Sequence, residues 1–248
     1  MSEFIDSLYN LRMFLTTDYA CNYLSDRQAR NLVADPDVAN NVLYTQLAHL
    51  GFRRSGNHIY RPHCRGCKAC RSLRIPVEHF RPNRSQRRVL MRNQDLQVAV
   101  MDATFQDEHF DLFAHYVAKR HAKAGMDPAE PEDYWSFVNS LWCSTKLYEV
   151  RCGQRLLAIA VTDYLDDGLS AVYTFFDPQE HVRGLGTFAI LQQIAEAKRK
   201  GLQWVYLGYW IENCDKMVYK KRFNPHEIYI AEGWRWIAMD AVARNKTG

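Results

Sequence analysis

Three thiols recur at three-residue steps in Cys64-Arg-Gly-Cys67-Lys-Ala-Cys70. Thiolates at that spacing can wrap one metal ion or cluster, and Gly66 permits the tight turn between ligands. A fourth ligand is not local; Cys21 is the natural candidate, with His63 or His58 behind it. The same run also reads as a thiol-lined turn without metal. The sequence therefore demands no cofactor and leaves zinc or an iron–sulfur cluster at Cys21, Cys64, Cys67 and Cys70 as the alternative.

A second constellation follows at once, Arg81-Pro-Asn-Arg84-Ser-Gln-Arg87-Arg88-Val-Leu-Met-Arg92, five arginines without an acid. The planar guanidinium fork suits phosphate and carboxylate oxygens better than a lysine does. The stripe sits inside a wider basic block. From Gly51 to Arg92 there are 12 Lys and Arg against one acid, Glu78, a balance of +11; the other 206 residues carry 20 basic and 27 acidic side chains, a balance of −7. That split predicts a polyanion, an RNA or an acidic peptide, docking on one region. A third constellation is His181-Val-Arg183-Gly184-Leu-Gly186-Thr187, a glycine turn before a long apolar-periodic segment. There the backbone can approach an anion, and a helix N-terminus offers free N–H groups. A fourth, Tyr206 to Pro225, combines aromatics with Lys216 and Lys220 and reads as core or as a pocket mouth.

The elements that must position these groups follow from periodicity. Leu96–Met101 alternates like a strand, Asp107–His121 and Pro131–Leu141 carry helical spacing, and Lys146–Arg151 and Arg155–Tyr164 form a hairpin across Cys152-Gly-Gln154. Leu169–Phe176 is an aromatic and β-branched strand. Leu185–Lys200 is a helix with basic residues in its last turn and Gly201 as its stop. Gln203–Gly208 reads as a strand, Asn213–Arg222 as a helix and Glu227–Ala231 as a last strand. The order β-α-α-β-β-β-α-β-α-β predicts an α+β fold, a mixed sheet with helices on both faces. Residues 1–75 are expected to form a small cysteine-containing N-terminal subdomain, 76–93 a basic connector and 94–248 the main domain. A chain of 248 residues, 47% hydrophobic and 24% charged, is neither disordered nor a rod. It has no apolar run of the roughly 18 residues that a membrane span needs. Its first 15 residues lack a signal-peptide pattern, so a cytoplasmic protein with reduced thiols is expected.

The element order and the glycine turn resemble the acyl-CoA N-acyltransferase (GNAT) superfamily, although His181 stands where Gln or Arg is usual. Longer segments resemble the bacterial branch of the arginyl-tRNA–protein transferase family. They are Cys21 to Asn31, Gly51 to Gly56, Tyr60 to Pro62, the three-cysteine run, Phe80 to Arg88, Asp166 to Tyr173, Phe175 to Pro178, Leu185 to Thr187, Tyr206 to Trp210 and Lys216 to Lys220. Eukaryotic members carry a second cysteine where this chain has Leu24.

The resemblance implies a GNAT-like domain that moves leucine from leucyl-tRNA to the α-amine of proteins beginning with Asp or Glu, marking them for degradation. An acetyl-CoA-dependent acetyltransferase and a non-catalytic tRNA-binding module are the competing readings. On the first reading, Arg84, Arg87 and Arg88 take the acidic N-terminus. Arg81, Arg92, Arg183, Gly184, Gly186, Lys216 and Lys220 take the tRNA. Asp177, Tyr209 and Glu149 are candidates for base or proton relay, and strand N–H groups near Val172 to Phe175 for the oxyanion.

Overall fold

The computed structural model describes residues 11–120, 129–212 and 214–237. Its strands are β1 (Met13–Leu15), β2 (Tyr19–Ala20), β3 (Gln28–Ala29), β4 (Asn31–Ala34), β5 (Arg53–Ser55), β6 (His58–Pro62) and β7 (Arg71–Pro76). They continue with β8 (Gln97–Asp102), β9 (Thr145–Cys152), β10 (Arg155–Tyr164), β11 (Gly168–Phe176), β12 (Trp204–Trp210), β13 (His226–Ile230) and β14 (Gly233–Ile237). The helices are α1 (Asn41–His49), α2 (Arg84–Arg92), α3 (Asp107–Arg120), α4 (Pro131–Val138) and α5 (Leu185–Arg199).

Eight strands make one mixed sheet in the order β14-β13-β7-β12-β11-β10-β9-β8, and a smaller sheet runs β1-β4-β6-β5. Alternation along the strands feeds two cores. Val205 and Leu207 of β12 point toward α5, where Ile190, Leu191 and Ile194 meet them with Leu73 and Ile75 of β7. Tyr206, between them in sequence, faces the other way and packs with Tyr44, Leu47 and Ala48 of α1. Ile159 and Val161 of β10 join Phe113, Val117, Tyr134 and Val138 of α3 and α4 on that second face. The sheet thus has α2 and α5 on one face, and α3, α4, α1 and the small sheet on the other. This is the α+β arrangement expected from the element order.

Three local outcomes differ from the sequence reading. Arg71–Pro76 is not the edge of an N-terminal subdomain: β7 lies between β12 and β13 in the large sheet, so a boundary at residue 75 runs through a central strand. Its Arg74 is accommodated there by Glu227 at 2.6 Å and by the rings of Trp204 and Trp234, 3.5 and 4.2 Å from the guanidinium carbon. The basic connector contains a helix, α2, started by a reciprocal capping box between Asn83 and Gln86. The helix read over Asn213–Arg222 begins at a residue outside the described ones; residues 214–222 do not form an α-helix, and Val218–Arg222 winds as a short 3₁₀ turn, which directs Lys220 inward. No helix among the described residues is long and apolar enough to cross a membrane.

Candidate active site

The parallel pair β11 and β12 stays in register only over Gly168–Ser170 and Trp204–Tyr206. Beyond that, β12 remains paired with β7 through a register shift between Tyr206 and Gly208, while β11 stays on β10. The sheet therefore opens between Val172 and the end of β12. Into this opening reaches Arg53 from β5. Its Nη2 donates to the Val172 carbonyl at 2.9 Å, and its guanidinium lies 5.8 Å from the Tyr209 ring centroid. Gly208 makes the space: its φ is +72°, and a Cβ there would sit 2.5 Å from Arg53 Nη1.

Arg54 has the opposite fate. Adjacent strand residues point to opposite sides. Arg54, 1% exposed, donates to both Asp163 oxygens at 2.7 and 2.8 Å and to the Val138 carbonyl. Arg53 has no carboxylate within ion-pair distance among the described residues.

Lys220 completes the inner site. It is 5% exposed, and its Nζ donates to the Tyr209 carbonyl at 2.6 Å. Burial, and secondly the nearby Arg53 cation, push its ammonium well below the usual range. This corrects its assignment as a tRNA contact: a side chain this buried cannot track a phosphate backbone. Tyr209 is buried too and donates to the Tyr60 carbonyl at 2.9 Å; burial drives its hydroxyl pKa far up. Its hydroxyl thus ties the end of β12 to β6.

On the α1 face of the sheet, a cavity of about 560 Å³ is lined by residues that include Tyr19, Tyr23, Tyr60, Tyr209, Ser55, Cys21, Cys64 and Cys70. Cys67 faces a different groove, beside Asp18 and Arg65. Burial, with the neighbouring thiols, pushes the Cys70 thiol up to about 12. Among the described residues, no three His, Cys, Asp or Glu side chains are set to hold a metal ion.

The other face carries the arginines. Arg84, Arg87, Arg88 and Arg92 are exposed along α2, and Asn83 and Gln86 both donate at 3.2 Å to the Arg222 carbonyl of the turn that holds Lys220. At the other end of α2, Arg92 donates to the Val182 carbonyl and Asn93 to the Arg183 carbonyl. Helix α2 thus connects the glycine turn before α5 with the turn at Lys220. Gly184 has φ +68°, a left-handed conformation that suits glycine; Gly186 does not need its glycine, since a Cβ there meets Phe176 at an ordinary 3.6 Å. Arg183 is paired with Asp95 at 2.9 Å and Glu180 at 3.0 Å, so its charge is spent within the fold. Lys216 is exposed, as is Arg81, which donates to the Glu78 and Phe80 carbonyls.

The remaining relay candidates lie elsewhere. Glu149 is on β9, two strands from the opening, held by His109 at 3.3 Å and by Arg151. Asp177 caps the turn after β11 by accepting from the Gln179 N–H at 2.9 Å and pairs with Arg155. Sequence reasoning missed Arg53. The available signal was the Arg53-Arg54 pair itself, since a strand cannot give both side chains the same surroundings.

The mixed sheet thus opens between two parallel strands, beside a glycine turn and the helix it starts. Family models for "Arginine-tRNA-protein transferase, N terminus" and "Arginine-tRNA-protein transferase, C terminus" match residues 19–88 and 108–230. The chain belongs to the arginyl-tRNA–protein transferase family. It is 51% identical to an aspartate/glutamate leucyltransferase of Nitrosococcus oceani, covering 92% of this chain and 97% of that protein. It is 49% identical to the protein of the same name from Pseudomonas fluorescens, again over 92% and 97%. Among solved structures, the C-terminal domain of a putative lysylphosphatidylglycerol synthetase from Agrobacterium fabrum matches with a TM-score of 0.46 at 13% identity, over 83% of this chain and 74% of that one.

Proposed function

We propose that this chain transfers leucine from leucyl-tRNA to the α-amine of proteins that begin with Asp or Glu. Its relatives at about half identity over nearly their whole length carry the name aspartate/glutamate leucyltransferase. The observation that carries the reading is the opening between β11 and β12, entered by Arg53, with exposed arginines on one face of the sheet and on the other an aromatic cavity whose wall residue Tyr209 lies against Arg53.

The reaction needs an attacking amine and an ester already activated on the tRNA ribose. The amine nitrogen bonds to the leucyl carbonyl carbon, the ester C–O bond breaks, and the ribose oxygen leaves with a proton while the amine loses one. Holding the two partners together supplies on the order of 7–11 kcal/mol in ideal cases. With an α-amine pKa of about 7.7–8.0, roughly a fifth to a third of the nucleophile is already neutral near physiological pH. Exposed Arg84, Arg87, Arg88 and Arg92 fit the phosphates of the donor, with Lys216 and Arg81 at the margin. A tRNA donor fits a reaction in the cytoplasm.

The test is a transfer assay with leucyl-tRNA and arginyl-tRNA as donors and peptides starting with Asp, Glu, Lys or Ala as acceptors. Leucine on the Asp and Glu peptides alone is expected. Arginine transfer instead would keep the family and change the donor, and tRNA binding without transfer to any peptide would refute the proposed activity.

A further inference from the structure

We propose that Arg53 reads the acidic side chain of the acceptor's N-terminal residue, receiving its carboxylate in the opening between β11 and β12 from the cavity side of the sheet. The proposal rests on the transfer reaction above and narrows it, because it assigns discrimination to one largely enclosed guanidinium and not to the exposed arginines of α2.

Several observations converge on this residue. A guanidinium has five N–H donors, and Arg53 spends one of them on Val172 O. Its neighbour Arg54 shows how this fold neutralises an arginine it keeps for itself, with a bidentate carboxylate from Asp163. No described carboxylate does this for Arg53. Lys220 adds a second basic group at the same strand end, likewise without a carboxylate within ion-pair distance among the described residues. An enclosed cationic site left without a counter-charge favours an anionic ligand. Gly208 leaves room for the guanidinium in its present position, since a Cβ there would sit 2.5 Å from Arg53 Nη1 and displace it.

The direction of approach identifies the anion. Arg53 comes from β5, on the face opposite α2 and the glycine turn, so the donor's phosphates have their own cations across the sheet. On the Arg53 side, Tyr60 and Tyr209 are walls of the cavity. Tyr60 is the register partner of Arg53, and the Tyr209 ring lies beneath its guanidinium. Arg53 does not itself line the cavity and adjoins it through these two rings, so a protein N-terminus that passes between Tyr60 and Tyr209 brings its first side chain to Arg53 and its amine to the opening. The long arginine stem accommodates either Asp or Glu. Dielectric decides the magnitude. A water-exposed arginine separates Asp from Asn by only about a few-fold, whereas a site whose buried donors go unpaired with the wrong ligand can reject it by ~100-fold or more.

The experiment measures kcat and KM for leucine transfer to peptides that differ only in their first residue, Asp, Asn, Glu or Gln, together with leucyl-tRNA affinity. Wild-type protein is expected to prefer Asp to Asn by ~100-fold. In Arg53→Gln that ratio should fall at least tenfold, chiefly through a higher KM for the Asp and Glu peptides, with leucyl-tRNA affinity retained. A proportional loss on all four peptides, or weakened leucyl-tRNA binding, would overturn the proposal in favour of a scaffolding or donor-binding role. So would a wild-type protein that does not distinguish Asp from Asn. If Arg53→Gln does not fold, Arg53→Lys decides: a lowered Asp-to-Asn ratio in the folded variant supports the proposal, and an unchanged one refutes it. Wild-type transfer to none of the four peptides is a separate result that refutes the transfer reaction itself.

Discussion

A thiol held near 12 is almost entirely protonated at neutral pH, and only the thiolate is a good nucleophile. With its pKa pushed up to about 12 by burial and the neighbouring thiols, Cys70 is expected to be a slow nucleophile. Iodoacetamide at pH 7.5, followed by peptide mass mapping, should modify it at least about a hundredfold more slowly than an unperturbed thiol of pKa ~8.5. Rapid labelling would contradict the burial of this side chain. His226 gives a residue-level pH effect. Its desolvation, partly offset by the Phe223 carbonyl 3.2 Å from Nδ1, lowers its pKa; burial lowers His109 as well, against the pull of Glu149. For both, the folded pKa is below the unfolded value of about 6.5. The stability they contribute is thus present above pH ~6.5 and lost as pH falls through the folded values. Tm should drop between pH 7 and pH 5, and less steeply in His226→Gln; an equal slope in the variant would rule out this source.

These residue roles are the least legible part of the sequence. Arg53 and Arg54 are chemically identical neighbours whose partners, Val172 and Asp163, come more than a hundred residues later. Lys220 lies in the run Lys220-Lys-Arg222 and reads as a solvated charge; its burial is fixed by the strand end it packs on. Tyr209 carries a hydroxyl that sequence alone leaves free for proton transfer, whereas the fold commits it to the Tyr60 carbonyl.

Elements are far more legible, because periodicity and end signals are local. The strands from β8 to β12, and helices α3 to α5, follow the hydrophobic patterns read from the chain. Helix α2 is hidden because its arginines mask a short apolar stripe, Val89 and Leu90, that packs against the α5 side of the core. Its start depends on the capping box, and Asn83→Ala should cost about 1 kcal/mol in chemical denaturation. The two glycines before and within α5 give a contrasting pair. Gly184→Ala forces a left-handed residue and should cost about 1–2 kcal/mol. Gly186→Ala adds a helix former at ordinary contact distance from Phe176 and should be neutral or stabilising by a few tenths, up to about 1 kcal/mol. Equal losses from both would mean that the turn binds through the absence of side chains and not through its backbone angle.

At the scale of the whole molecule, the +11 block proves to be distributed over both faces of the sheet. Part of it is internal, in Arg53, Arg54 and Arg74, and part is exposed along α2. Net charge read from sequence could not make that division. Only the exposed part should respond strongly to salt. Replacing Arg84, Arg87 and Arg88 together by Gln should weaken tRNA binding and reduce the slope of log K against log salt by about 2–3, at ~0.7–0.9 for each phosphate no longer neutralised. An unchanged slope would take the α2 stripe out of the donor site.

The place of β7 has a consequence for how the protein is made. Leu73 and Ile75 leave the ribosome with the N-terminal part of the chain, yet the strand that flanks them, β12, is synthesised roughly 130 residues later, on the order of ten seconds at about 5–20 residues per second. For that interval the future centre of the sheet is an unpaired strand with both edges open, exposed to any chaperone, protease or neighbouring nascent chain that pairs with it first. The last stretch of translation, which delivers β12 and then β13, sets the earliest moment at which the sheet can close around it.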